Sequence, residues 1–200
     1  MASKRETAKQ EKKERIIEAA VKVFAQKGFY TANVKDVAKA AGVADGTIYL
    51  YFKNKDDLLI SLFEHKMREI LIRFEEALKK INDPLEQLKV FIREYFELIE
   101  EDTDLSDVFQ VELRQSSKFL KDYHNQQFAN YLNIIADIID SGKEIGFFRP
   151  EMDTNIGKIF IFGAIDEVAR QWILGADTKY SLAEATEQAT DNLVKGLLAF

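Results

Sequence analysis

Apolar positions recur three and four residues apart along almost the whole chain, and that periodicity predicts a succession of helices. Ile17, Ala20, Val21 and Phe24, flanked by Ile16 and Val23, stripe one face of a helix from Glu11 to Lys27, with residues 1–10 frayed ahead of it and Gly28 as its stop. Val34, Val37, Ala38 and Ala41 predict a two-turn helix capped by Asn33 and ended by Gly42. A short helix from Gly46 to Tyr51 follows, with Asp45 as a candidate cap. Leu59, Leu62, Phe63, Ile70, Leu71, Phe74 and Leu78 mark a helix from Lys55 to Ile81, about 40 Å long at 1.5 Å per residue. Asn82-Asp83-Pro84 closes it and opens the next, whose apolar face is Leu85, Leu88, Ile92, Tyr95, Phe96 and Ile99. After an acidic turn at Glu100–Asp104 come helices over Leu105–Ser117 and Asp122–Ile145, a loop at Gly146–Asp153, and helices over Thr154–Leu174 and Leu182–Leu198. The run Ile159-Phe-Ile-Phe162 has strand-like composition. Ile165, Val168 and Trp172 carry it on at helical spacing, so it too is assigned to a helix and the fold class is all-α.

Composition narrows the function. With 46% hydrophobic residues and only two prolines and nine glycines in 200 residues, the chain can bury a sizeable core with few breaks. The absence of cysteine excludes disulfides, thiolate metal sites and cysteine nucleophiles. The polar N-terminus has no apolar leader segment, and no run of about 18 apolar residues occurs, so a cytoplasmic protein without a membrane span is expected. His65 and His124 are the only histidines and lie in no metal-ligand or triad spacing. With no phosphate-binding glycine loop and no nucleophile elbow, neither a metal, a cofactor nor an enzyme activity is expected.

The net charge of −6 is unevenly shared. Residues 1–55 hold 12 Lys/Arg and 6 Asp/Glu, a balance of +6, while residues 56–200 hold 16 and 28, a balance of −12. A basic head on an acidic body is either a solvated tail or a nucleic-acid surface. Ala38, Gly42, Val43, Ile48 and Phe52 are spaced to pack two short helices together, as in a helix-turn-helix that sets its second helix in a major groove. Any helical hairpin shares that pattern. The neighbouring chemistry is more telling: the hydroxyls of Thr47, Tyr49 and Tyr51 and the ammonium groups of Lys53 and Lys55 suit phosphate oxygens, and the start of the long helix adds a positive dipole end. The alternative is that the tyrosines are half-buried with their hydroxyls reaching out.

Ile16-Ile-Glu-Ala-Ala20, Phe24 with Gly28-Phe29, Val37-Ala38 with Ala41-Gly42-Val43, Gly46-Thr-Ile-Tyr-Leu-Tyr-Phe52 and Lys55-Asp-Asp-Leu-Leu59 closely resemble the DNA-binding domain of the tetracycline-repressor (TetR) family, over residues 11–63 almost without gaps. The resemblance implies a flexible basic tail (1–10), a three-helix helix-turn-helix domain (11–54) and a larger helical ligand-binding and dimerisation domain (55–200). It also implies a homodimer on double-stranded, inverted-repeat operator DNA. By motif position, Thr47, Tyr49 and Lys55 would touch phosphate, with Tyr51 and Lys53 beside them. Ala44, Asp45, Gly46 and Leu50 would face base edges, and Thr31 and Asn33 would touch the backbone. Asp45 departs from the basic or neutral polar residue many relatives carry there: it either accepts from a cytosine amino group or serves only as a cap.

Beyond the head, Ala44–Lys55, Ile60-Ser-Leu-Phe63, Glu112-Leu-Arg-Gln-Ser116 and Phe162-Gly-Ala-Ile-Asp-Glu167 are similar to the fatty-acid-degradation repressors of Gram-positive bacteria. That implies a repressor released from its operator by long-chain acyl-CoA; the alternative is the same fold sensing another hydrophobe, such as a drug or an aromatic metabolite. Phe109, Leu113, Phe128, Tyr131, Leu132, Ile135, Phe160 and Ile165 either line a tunnel for it or are ordinary core. Among them sit charges that need partners. Arg114 either pairs with Asp166 or Glu167, or it, or Arg170, receives a thioester, carboxylate or phosphate. Leu182, Ala185, Ala189, Leu193 and Leu197, with Ala169, Trp172 and Ile173, make a narrow seam, and the resemblance turns the last two helices into a four-helix dimer interface.

Overall fold

The structure, a computed structural model, describes residues 4–112, 126–175 and 180–199. Their helices are α1 (Lys4–Lys27), α2 (Val34–Ala41), α3 (Asp45–Ile48), α4 (Lys55–Leu78), α5 (Pro84–Glu101), α6 (Thr103–Asp107), α7 (Gln126–Glu144), α8 (Thr154–Ile173) and α9 (Leu182–Leu197). A π-helical turn, Val108–Glu112, follows α6 directly. Among the described residues there is no strand, only an isolated bridge between Phe148 and Leu198, and the Ile159–Phe162 run is helical as expected.

Two compact units result, Met1–Lys66 with Asp104–Tyr123, and Met67–Thr103 with His124–Phe200. In the first, α1 starts at Lys4 and not at Glu11, so residues 4–10 are helical rather than frayed. Residues 5–12 are exposed and bury nothing; apart from Thr7 they are Lys, Arg, Glu, Gln and Ala, good helix formers that carry the helix beyond its packed portion. From Ile16 onward the helix enters a core of Ile16, Ile17, Ala20 and Phe24 against Val37, Ala38, Ile48, Phe52 and Leu62. Asn33 caps α2 in a reciprocal box: its Oδ1 accepts from the Asp36 amide at 3.0 Å, and Asp36 Oδ2 accepts from the Asn33 amide at 3.0 Å. Lys27 Nζ, 2.7 Å from Asp36 Oδ1, holds that carboxyl below its ordinary range. Gly42 closes α2 at φ 64°, a left-handed conformation in which a Cβ is unfavourable. The buried Lys66 reaches back 2.5 Å to Glu18 Oε1, tying α4 to α1.

In the second unit α5 is the central helix. Pro84 sits in its first turn, as the sequence predicts, and Asp83 caps it, its side chain accepting from the Leu85 amide at 2.9 Å. It packs on α7, α8 and α9, and therefore buries Val90 and Phe91 in addition to the predicted stripe, while Leu85 is only half-buried. Gly142 of α7 allows a close approach: a Cβ there would lie 2.1 Å from the buried Phe148 ring.

Within this unit Arg73 of α4 pairs with α5, its Nε 2.8 Å from Glu94 Oε2 and both terminal nitrogens on Glu101. The hydrogen bonds from Arg73 pull the Glu101 carboxyl below its ordinary value. A depressed carboxylate stabilises the fold above its unfolded pKa, about 4.3, and loses that contribution as pH falls through the folded value. Arg73→Met is therefore expected to lower the melting temperature by a few degrees at neutral pH, with the difference from the parent shrinking below about pH 4. Thermal melts of both proteins across pH 3–7 check this; a pH-independent difference contradicts it.

Candidate functional site

The head presents a small, rigidly held surface. Ile48 and Phe52 are buried anchors, and between them Tyr49 (60% exposed) and Leu50 (77% exposed) stand out into solvent. After Ile48 the chain continues in tight turns, with the amides of Leu50, Tyr51 and Phe52 donating to Thr47, Ile48 and Ile48 carbonyls at 3.0–3.1 Å. Ala44, Asp45 and Gly46 are exposed on the leading edge, Thr47 and Tyr51 are half-buried, and Lys53 and Thr31 are exposed. Tyr51 thus fits the half-buried alternative, while Tyr49 does not.

One expectation for the head is corrected, and another residue, Lys55, has partners that the sequence did not suggest. Asp45 does not cap α3: the cap position is Ala44, which makes no side-chain cap bond, and Asp45 is the first helical residue. Its charge still favours the helix start through the dipole. Lys55, expected on phosphate, gives its ammonium to the carbonyls of Phe29, Tyr30 and Ala32 at 2.6, 3.2 and 2.9 Å, 4.5 Å above the Phe29 ring. An ammonium has three N–H donors, and all three are engaged. Lys55 instead clamps the α1–α2 turn to the start of α4, fixing Thr31 and Asn33 where α2 begins. The expected positive start of α4 is also offset, because Asp57 Oδ2 accepts from the Lys53 amide at 2.8 Å and Asn54 Oδ1 accepts from the Asp57 amide at 2.9 Å. Asn33, whose Oδ1 is bound in the capping box, has only its amide group left to offer. Sequence reasoning missed Tyr30: it is exposed beside Thr31 while its neighbour Phe29 is buried, an alternation readable in hindsight from the turn after Gly28.

Gly46 is informative for what surrounds it. A Cβ at this position would meet nothing within 4 Å, and the backbone is not left-handed, so neither packing nor conformation requires glycine. Its bare backbone suits close approach of an external surface.

In the second unit, aromatic rings converge from four helices. Phe74 of α4 lies 4.8 Å from Phe91 of α5 and 5.2 Å from Tyr131 of α7; Phe162 of α8 lies 5.2 Å from Phe128 and 6.0 Å from Tyr131. Ile135 and Ile165 are buried and Leu132 is half-buried. Phe74, Phe91, Tyr95 and Phe162 were not among the lining residues expected from sequence, because spacing along one helix does not reveal which faces meet. Tyr131 is buried, its hydroxyl has no hydrogen-bond partner among the described residues, and burial together with the Asp166 charge raises its pKa well above the ordinary phenol value. Tyr95 donates to Asp166 Oδ1 at 2.9 Å. Arg170 grips Glu167, with Nε 2.7 Å from Oε2. Leu113 and Arg114 lie outside the described residues, as does His124. Phe109 belongs to the first unit, where its ring is 4.8 Å from Phe63.

Phe160 does not join the ring cluster. It is 66% exposed on the outer face of α8, with Ile156 (70%) and Ile159. It borders an apolar groove of about 450 Å³ with Ala164, Val168, Ala185, Ala189 and Leu193. The predicted seam divides: Leu182, Leu197 and Ala169 are buried in their own core, Ala185, Ala189 and Leu193 border the groove, and the exposed face of these helices includes Ile156, Ile159, Phe160 and Gly163 on α8 and Gln188, Asn192 and Gly196 on α9. Gly163 and Gly196 lie inside helices where a Cβ would meet nothing within 4 Å. Glycine in a helix interior such as position 163 costs about 1 kcal/mol relative to alanine, and among the described residues no close packing requires either glycine.

Comparison with known proteins adds to this geometry. Residues 16–62 match the bacterial regulatory proteins of the tetR family, and residues 63–196 match the C-terminal region of YsiA-like proteins. The fatty acid metabolism regulator protein of Bacillus subtilis is 42% identical over 182 residues, 91% of this chain and 93% of that one. A crystal structure of the transcriptional regulator FadR from Bacillus subtilis, in complex with stearoyl-CoA, superposes with a TM-score of 0.85 at 42% identity, covering 92% of this chain and 98% of that one. The fatty acid degradation regulator FadR from Bacillus halodurans superposes with a TM-score of 0.86 at 41% identity, covering 92% and 95%.

Proposed function

Since the chain belongs to the TetR family of bacterial regulatory proteins, we propose that it is a homodimeric transcription repressor of fatty-acid-degradation genes that long-chain acyl-CoA releases from its operator. Residues 11–54 are the DNA-binding domain and residues 55–200 the ligand-binding and dimerisation domain. The observation that carries the DNA reading is the exposed Tyr49–Leu50 surface on its buried Ile48–Phe52 anchors. Tyr49, Thr47, Tyr51 and Lys53, with Thr31 and the Asn33 amide, meet phosphate; Ala44, Asp45, Gly46 and Leu50 face base edges. A C2 dimer formed through α8 and α9 presents two such surfaces to successive major grooves. The apolar outer face of α8 and the two unexplained helical glycines support that interface. Among the described residues no helix is long and apolar enough to cross a membrane, and a repressor works where the chromosome lies, in the cytoplasm. No catalytic role is assigned to any residue.

The acyl chain occupies the aromatic cluster in the second unit, and Tyr131 offers its buried hydroxyl to a ligand oxygen. An unmet buried hydroxyl costs about 1–3 kcal/mol, which a ligand oxygen would recover. Helix α4 carries both Lys55, the clamp of the head, and Phe74, a member of the ring cluster. Ligand-driven displacement of Phe74 therefore reaches the clamp along one helix of 24 residues. To empty the operator, the ligand must favour the released state by a few kcal/mol.

Binding to an operator recovered by selection from genomic fragments, measured with and without micromolar stearoyl-CoA, tests the reading. Release is expected; an unchanged affinity removes acyl-CoA as effector and leaves the repressor in place. Mass spectrometry of ligand extracted from the purified protein separates acyl-CoA from a drug or aromatic metabolite. Tyr131→Phe is expected to keep or raise the melting temperature while requiring several-fold more stearoyl-CoA for release. Loss of stability with an unchanged response would contradict that role.

A further inference from the structure

The N-terminal turns of α1 form a part of the molecule that neither the core nor the helix-turn-helix uses. Residues 5–12 are helical and exposed, and they hold Arg5, Lys9 and Lys12. At 100° per residue these three fall within about 60° of one another, and Lys13 extends the arc. Glu6 lies at the edge of the arc. Glu14, bound by Gln10 Nε2 at 2.7 Å, lies on the far side.

The direction of the arc matters. Ile16, Ala20 and Val23, which turn α1 toward the core of the head, lie on the same side of the helix as Arg5, Lys9 and Lys12. Lys13 confirms the orientation within the same unit, since its Nζ lies 5.9 Å from the Phe52 ring centroid. Phe52 ends the Tyr49–Leu50 surface and is followed at once by the exposed Lys53. The overhanging cations therefore project past the core on the side where the recognition segment ends.

The geometry points to a second DNA contact, resting on the DNA-binding reading above: the α1 overhang lays Arg5, Lys9 and Lys12 along the phosphate backbone flanking the base pairs that α3 addresses. Helix supplies the spacing, and long flexible stems let each cation follow the backbone without reading sequence. The contact raises affinity for any duplex and leaves discrimination between sequences to the residues around α3.

The test is the salt dependence of binding by the full chain to a mixed-sequence duplex of about 30 base pairs, since each phosphate neutralised contributes about 0.9 to the slope of log K against log salt. The triple variant Arg5→Gln, Lys9→Gln, Lys12→Gln keeps helix propensity nearly constant. Its slope is expected to be shallower by about two to three, and its affinity at low salt weaker by at least tenfold. The ratio of operator to mixed-sequence affinity is expected to stay within about threefold. A second triple variant, Lys79→Gln, Lys80→Gln, Lys89→Gln, removes the same charge from the second unit and is expected to leave the slope unchanged. Equal slopes for the parent and the overhang variant, or equal losses from both variants, overturn the proposal. A parent protein that binds no duplex in a salt-dependent way overturns the DNA-binding reading itself.

Discussion

Gly46→Leu should abolish operator binding without loosening the fold. Residue 46 lies in the first turn of α3, on an exposed edge where an added side chain meets nothing within 4 Å. Leucine is a better helix former than glycine by about 0.8 kcal/mol, so stability should hold or improve. The docked state is different. A recognition segment lies against base edges and phosphates with little space between, and a four-carbon side chain on the leading edge lifts the segment away. Losing even two good contacts of about 1–3 kcal/mol each lowers affinity by about a hundredfold or more. Fluorescence anisotropy on the selected operator reads the loss and calorimetry the stability. Wild-type affinity from a stable Gly46→Leu protein would remove α3 from the DNA surface.

Phe160→Lys should convert the dimer into a monomer. Phe160 is 66% exposed, so the substitution removes little from the core of its own chain. In a C2 dimer each substitution occurs twice, and both lysines would be buried in an apolar interface without partners. A combined cost of about 4 kcal/mol raises the dissociation constant about a thousandfold. Sedimentation should then give a species near the chain mass of 23.0 kDa, where the parent gives twice that. Operator affinity should fall further than for any single head contact, because the second half-site no longer binds intramolecularly. A variant that stays dimeric would place the interface elsewhere, and would leave the exposed stripe of Ile156, Ile159 and Phe160 to another partner.

Much of the fold was legible because its determinants are local. The cap of α2 is a side chain and an amide three residues apart, so Asn33 could be identified from sequence, as could Pro84 at the start of α5. Helical periodicity outweighed the β-like composition of Ile159–Phe162 for the same reason, since the stripe continues through Ile165. Asp45 shows the limit of such reasoning: it has the right chemistry for a cap, but the helix begins one residue early and Ala44 occupies the cap.

What the amino-acid order determined by itself was the helices, the basic head and the chemistry of the recognition segment, because each depends on neighbours a turn or less away. Only the tertiary structure decided the rest. Lys55 serves as a clamp because three carbonyls from a turn more than twenty residues earlier surround its ammonium. Phe160 faces outward while Phe162, two residues on, faces the ring cluster, since a helix turns about 200° over that step. Which of the two directions is the interior is set by the helices packed against α8, a relation between distant segments that no local pattern contains.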